Sequence, residues 1–375
     1  MPAPAAEPGQ APQPMAGHRR HRRGRRALLV LLAIAMVLVA DVAGTALLRA
    51  SGLYTPAART EAAFRRPDPV YHHGLRSNIS STDGGRWGQI AYPIHTNSLG
   101  FKDRAVREVS RQTTGRRVLL IGDSFTEGVG CAFEDTFAGI LARELGKQQI
   151  EVLNAACVTY SPVIYRRKVQ HLLEVEGLTF DHLVVCLDLS DIVDEIKYYR
   201  LDEHGNVVMR ADTFSAQAKQ FVAERTILMR AIREGLHALR EGSRDGDRGV
   251  VDHERSSWTR VPALWAKYGE PGLRSAATHL DGLRELLAAR GIKMTLVVYP
   301  WPDQILNGER ECAQVTYWRD WTAQRSVAFV NCFPAFLDAG PAAEVIDRYF
   351  ISKDMHWNAA GHARIAEVLL RELQP

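Results

Sequence analysis

Gly122-Asp123-Ser124-Phe125-Thr126-Glu127-Gly128 places a serine hydroxyl among small residues, directly after the apolar run Val118-Leu119-Leu120-Ile121. Such a run ending at a glycine suits a buried parallel strand. In open α/β sheets, ligands bind beyond the carboxyl ends of the strands. Ser124 is therefore expected at a strand end, just before a helix, its hydroxyl toward a cleft and its N–H toward a developing oxyanion. A serine hydroxyl is a weak nucleophile until a base takes its proton. Asp354-Met355-His356-Trp357-Asn358, ahead of the last helical stretch, offers that base. His356 would accept the proton, and Asp354 would hold its imidazole in the right tautomer. A helix-capping Ser124, a structural His356 and an Asp354 that only caps the last helix are the simpler alternatives.

Bringing the two runs together requires a sheet that spans most of the chain. Beyond residue 115 the pattern alternates. Strands are expected at Ile150 to Asn154, Leu183 to Leu187, Lys293 to Tyr299 and Val327 to Asn331. Helices are expected over Glu134 to Leu145, Pro162 to Glu176, 210 to 241, Leu273 to Gly291 and Asn358 to Leu373, with a charged loop over Glu241 to Val251. Strands alternating with helices imply an α/β fold with a parallel sheet covered on both faces. Tyr299-Pro300-Trp301-Pro302 follows a strand, so Trp301 is either a packing residue or an aromatic platform for substrate beside the cleft.

The run VLLIGDSFTEGVG resembles the first conserved block of the SGNH/GDSL hydrolase family, and DMHWNAAGH resembles its last. The lead-in TNSLGFKD is of a kind found before this domain in membrane-anchored members. The resemblance covers residues 115 to 375 and implies a three-layer α/β/α domain, with Ser124 as nucleophile, His356 as base and Asp354 as its partner. It implies no cofactor and no metal. The middle blocks depart from the family pattern. Ala156 stands where a glycine N–H would line the oxyanion hole, and Ser190, before Asp191, stands where an asparagine amide would. With Ser124 N–H, these are the expected oxyanion donors. Asp123, Asn154 and Asp191, in the same blocks, are expected to bind substrate together with Trp301. The spelling Asp-x-His-Trp is similar to that of polysaccharide O-acetyltransferases of the alginate-modifying type. The resemblance thus implies an O-acetyltransferase or esterase acting on cell-envelope or exported glycan through an acyl-Ser124 intermediate. A lipolytic esterase and a catalytically degenerate binding module are the alternatives.

Composition sets the surroundings. Of the net charge of +4, the run HRRHRRGRR at 18 to 26 supplies more than the whole, so the remainder is slightly acidic. No basic, aromatic-interleaved stretch elsewhere suggests nucleic-acid binding. Residues 1 to 26 are expected to be a disordered basic tail. Ala27 to Leu48 is almost wholly apolar, and roughly 20 such residues span a bilayer. The arginines before it predict a cytoplasmic N-terminus and a catalytic domain outside the cytoplasm, held by a single-pass anchor in the inner (plasma) membrane. A cleaved signal peptide, with Gly44-Thr45-Ala46 as cleavage site, is the competing reading. Residues 49 to 114 are expected to be an irregular lead-in packed on the domain at 115 to 375. The expected partners are an acylated glycan or small ester, the membrane and, for acyl transfer, a membrane protein that donates the acyl group. Cys131, Cys157, Cys186, Cys312 and Cys332 have no metal-ligand spacing. Cys312 and Cys332 are open to a disulfide or to two buried thiols.

Overall fold

The structure, a computed structural model, describes residues 17–51, 64–88, 90–210, 226–228 and 253–373. The helix expected over 210–241 and the loop over 241–251 fall outside the described residues, except for 210 and 226–228. Two compact units emerge, one of Met1–Thr55 with Thr213–Ser243, the other of Pro56–Asp212 with Arg244–Pro375.

The first unit is built on helix α1, Gly17–Ala50. The basic run, expected to belong to a disordered tail, is helical from Gly17 onward, because no proline or glycine pair interrupts it and a helix once nucleated propagates cheaply. Within it Leu28–Leu48 is 21 residues of mean hydropathy 2.5, only 6% buried. At 1.5 Å per residue it reaches about 30 Å, the thickness of a bilayer's hydrocarbon core. Asp41, its one acidic group, accepts from the backbone N–H groups of Ile227 and Leu228 at 3.1 Å.

The second unit holds both motif runs. Its central sheet runs β12 (Ala328–Asn331), β11 (Lys293–Val298), β8 (His182–Leu187), β6 (Arg116–Ile121), β7 (Ile150–Asn154), then β5 (Lys102–Asp103), β4 (Ile90–Thr96) and β3 (Ser80–Trp87). The first five strands are parallel. Their order places β7 on one side of β6 and β8 on the other, a topological switch point at the end of β6. The crossovers pass through helices α3 (Phe137–Gly146), α4 (Pro162–Glu174), α6 (Glu270–Ala288) and α7 (Ala313–Arg325), with the short α5 (Asp191–Lys197) after β8, and α8 (Ala359–Glu372) follows the last strand. Helices α3 and α8 pack together, as do α4 and α6, giving the expected α/β/α layering. Strands β6, β8 and β11 are buried at every residue but the first, as strands covered on both faces must be.

The lead-in departs from expectation. Rather than irregular, it forms the hairpin of β1 (Arg65–Asp68) and β2 (His72–Leu75), and then β3, β4 and β5, which extend the central sheet antiparallel from β7. Buried charges tie it in. The Arg65 guanidinium meets the Glu127 carboxylate through two bonds of 2.9 Å, and the Lys102 ammonium donates to the Gly128 and Cys131 carbonyls at 2.6 and 2.8 Å. A small hairpin of β9 (Tyr199–Leu201) and β10 (Val207–Met209) completes the described strands. All five cysteines are free, buried thiols, so Cys312 and Cys332 form no disulfide.

Candidate active site

Strand β6 ends at Ile121, and the chain turns at Gly122 into the four-residue helix α2 (Ser124–Glu127). Only glycine fits at 122, since a Cβ there would sit 2.1 Å from Thr126 Oγ1 and 2.9 Å from the Cys186 carbonyl oxygen. Asp123 caps α2, its Oδ1 accepting from Phe125 N–H at 3.0 Å. Gly128 stops the helix in the left-handed region, at φ +75. The sharp turn places Ser124 at the switch point of the sheet.

The loop before α8 comes to meet it. His356 Nε2 lies 2.8 Å from Ser124 Oγ, across 232 residues of sequence, and His356 Nδ1 lies 2.6 Å from Asp354 Oδ1. Asp354 Oδ1 also accepts from the His356 backbone N–H at 2.9 Å. An ionised carboxylate can only accept, so Nδ1 carries the ring proton and Nε2 offers its lone pair to the serine hydroxyl. Burial alone would raise the Asp354 carboxyl. The bonds and charge of His356, with a bond from Trp87, outweigh it and hold Asp354 below the usual carboxylate range. His362, six residues on, is buried and held neutral, its pKa lowered to about 3 by burial and then by the charges of Lys102 and His356. It packs against Phe137 and Trp357 and is not a second base.

Aromatic rings fix the imidazole. Phe125 stacks on it with centroids 4.5 Å apart, and Trp87 meets it edge-on at the same distance. Trp357, fully buried, touches Phe125 and Tyr299 and so locks the base loop to the nucleophile turn.

The other expected site residues are placed differently. Ser190 Oγ and N–H both donate to Asp188 Oδ1, at 2.6 and 2.7 Å, so that hydroxyl is turned from the serine to its own loop. The Ala156 N–H donates to Asn154 Oδ1 at 3.2 Å, a local turn that occupies the second expected oxyanion donor. Asn154 spends its amide on the Thr126 carbonyl, 2.7 Å away, which ties β7 to α2. Trp301 is no platform. It is 1% exposed, and its Nε1 donates to Asp188 Oδ2 at 2.6 Å. Asp123 and Asp191 are likewise buried, 3% and 0% exposed, and offer nothing to a ligand at the surface.

Beneath the serine, Asp123, Asp188 and Asp191 gather carboxylate oxygens within 4.8 Å of one another, and these are the described residues that could hold a cation. Protein donors already fill most of the places. Asp188 accepts from the Ser190 N–H and Oγ and from the Trp301 indole, and Asp191 Oδ2 accepts from Tyr165 and the Asp188 N–H. Asp191 Oδ1 has no partner. Asp123 Oδ2 faces Ser124 Oγ at 3.3 Å, but the one hydroxyl proton points to His356. Burial first, then the neighbouring carboxylates, raise both Asp123 and Asp191 well above the carboxylate range.

Sequence reasoning passed over Arg65, Trp87, Lys102, Glu127 and Asp188. Four of these five lie in or touch the lead-in, where no periodicity flags them. Asp188 adjoins the third block but has no counterpart role there.

No family model matches the chain, and no curated protein matches it. Among solved structures, the chain is similar to an acetylxylan esterase from Geobacillus stearothermophilus, solved as a catalytic mutant, at 14% identity over 71% of this chain and 97% of that chain, TM-score 0.40. It is similar to a lipolytic protein of the G-D-S-L family from Veillonella parvula at 11% identity over 68% of this chain and 97% of that chain, TM-score 0.40. It is also similar to the psychrotrophic esterase EstA from a Pseudoalteromonas species at 14% identity, covering 69% of this chain and 97% of that chain, TM-score 0.39.

Proposed function

We propose that this protein is a serine-dependent acyl-ester enzyme of the SGNH/GDSL type, acting on acylated glycan as an esterase or O-acetyltransferase. One observation carries the reading: the unbroken line of Ser124 Oγ, His356 Nε2, His356 Nδ1 and Asp354 Oδ1, with links of 2.8 and 2.6 Å. Ser124 Oγ attacks the ester carbonyl carbon as its proton passes to His356 Nε2. The tetrahedral intermediate collapses, and the leaving alcohol takes that proton, so Ser124 holds the acyl group. Water or a sugar hydroxyl then attacks, His356 again taking and returning the proton. The Ser124 N–H is the proposed oxyanion donor that remains. The 21-residue apolar span supports a membrane anchor with this domain on the extracytoplasmic side.

The test uses the full-length protein in detergent and 4-nitrophenyl acetate. Wild type releases nitrophenol and Ser124→Ala does not, while both keep the same circular dichroism. Equal turnover by the folded Ser124→Ala variant sinks the reading. A second reading, a binding module that no longer turns over, is favoured by the capture of Ser190 Oγ and Ala156 N–H, since losing one oxyanion donor costs about 10²–10³ in rate. A fluorophosphonate that labels Ser124 excludes it.

A further inference from the structure

The antiparallel extension reaches the relay through a single side chain. Trp87 is the last residue of β3 and pairs with Ile90 across the hairpin, followed by Gly88 at φ +56. Its Nε1 donates to Asp354 Oδ2 at 2.8 Å, joining positions 267 residues apart. The other carboxylate oxygen, Oδ1, takes the His356 ring N–H and backbone N–H. Both oxygens are therefore held, from opposite directions, by donors on different elements. The terminal torsion of an aspartate is broad and nearly two-fold. A carboxylate anchored at only one oxygen swings about it, and the imidazole bonded to it swings too. The Trp87 ring limits that swing again, closing one side of the imidazole while Phe125 closes another.

We infer that Trp87 is a positioning residue of the acyl-transfer relay: its N–H fixes the plane of the Asp354 carboxylate, and its ring fixes the imidazole of His356. The inference rests on the serine-enzyme reading above. It also gives the antiparallel strands a task. They bring a donor to an oxygen that the parallel half of the sheet leaves open, and that donor is among those that keep Asp354 ionised despite its burial.

The experiment compares wild type, Trp87→Phe and Ser124→Ala as full-length proteins in detergent. Phenylalanine keeps an aromatic ring and removes only the N–H donor and part of the indole. The expected result for Trp87→Phe is a fall in kcat on 4-nitrophenyl acetate of about 10-fold, the lower end of what loss of a ligand-orienting partner costs. KM stays within about twofold, because no substrate contact is removed. The downfield proton resonance of His356 Nδ1–H shifts or broadens, a change that a merely structural role leaves alone once the variant is folded. Should Trp87→Phe fail to fold, β-(3-benzothienyl)alanine at position 87 puts sulfur where the N–H stands and keeps the ring's volume. Wild-type kcat and an unshifted resonance in either variant, with Ser124→Ala inactive, overturn the role of Trp87 and leave the relay intact. Turnover by Ser124→Ala overturns the relay itself.

Discussion

The five parallel strands and the three antiparallel strands share one sheet but earn their place in it differently. In β6, β8 and β11 nearly every residue is buried, so apolar contact on both faces holds them. In β3 and β4 exposed and half-buried residues intersperse with buried ones, as on a sheet with one wet face. The lead-in that contains them adds to buried side chains such as Ile94 and Phe101 a small number of polar bonds at named atoms: Arg65 to Glu127, Lys102 to two carbonyls, and Trp87 to Asp354. One half therefore presents Ser124, and the other is fastened to the residues around it. The lesson is that a polar, glycine-containing flank can belong to a folded unit as firmly as its apolar core.

The comparison can be broken or sharpened by substitution. The largest effect is on turnover: Ser124→Ala is expected to lower kcat by about 10³-fold or more with the fold unchanged, read by ester hydrolysis beside circular dichroism. Arg65→Met strands the Glu127 carboxylate in the interior, and removing one partner of a buried pair costs about 3–5 kcal/mol. Leu119→Ala opens a cavity in the fully buried β6 and costs about 2–5 kcal/mol. If the two halves are one cooperative unit, both variants shift a single denaturation transition. A split transition in Arg65→Met alone would show that the lead-in melts separately.

A smaller effect concerns the buried carboxylates. The folded pKa of Asp191 is raised by burial and by Asp123 and Asp188. Its contribution to stability is therefore fully present below the unfolded value and is lost as pH rises through the folded one. Asp191→Asn keeps an oxygen for Tyr165 and puts an NH2 where Oδ1 has no partner. Its thermal midpoint should equal or exceed that of wild type at neutral pH, with the gap closing toward pH 4. A gap that widens on acidification would mean that Asp191 is ionised in the fold. At the bottom of the scale, Arg371→Ala breaks only an exposed pair with Glu372 and should leave the midpoint unmoved.

The sequence made the parallel half legible because burial on both faces demands continuous apolar runs, and Val118 to Ile121 is one. Ser124, Asp354 and His356 stood out because each lies in a local run whose chemistry can be named. The antiparallel strands were hidden for physical reasons. Strand β4 contains Pro93, which argues against a strand flanked on both sides, and β3 contains Gly84 and Gly85 with a shift of register after Ser81. That Ser190 and the Ala156 N–H are engaged within their own loops was not legible, because sequence order cannot say which acceptor reaches a donor first. Ser190 had Asp188 two residues away, and Ala156 had Asn154. Trp301 failed for a similar reason, its indole N–H being drawn inward by Asp188.

The contact between Trp357 and Phe125 has a consequence for the life of the chain. On the ribosome the turn that holds Ser124 is made long before the loop that holds His356, and the two interlock through the Phe125 and Trp357 rings and the bond between Ser124 Oγ and His356 Nε2. Until that loop follows, the growing polypeptide carries Ser124 without the imidazole that bonds it. A chain cut anywhere between the two would keep the Ser124 turn and lose the histidine that bonds it.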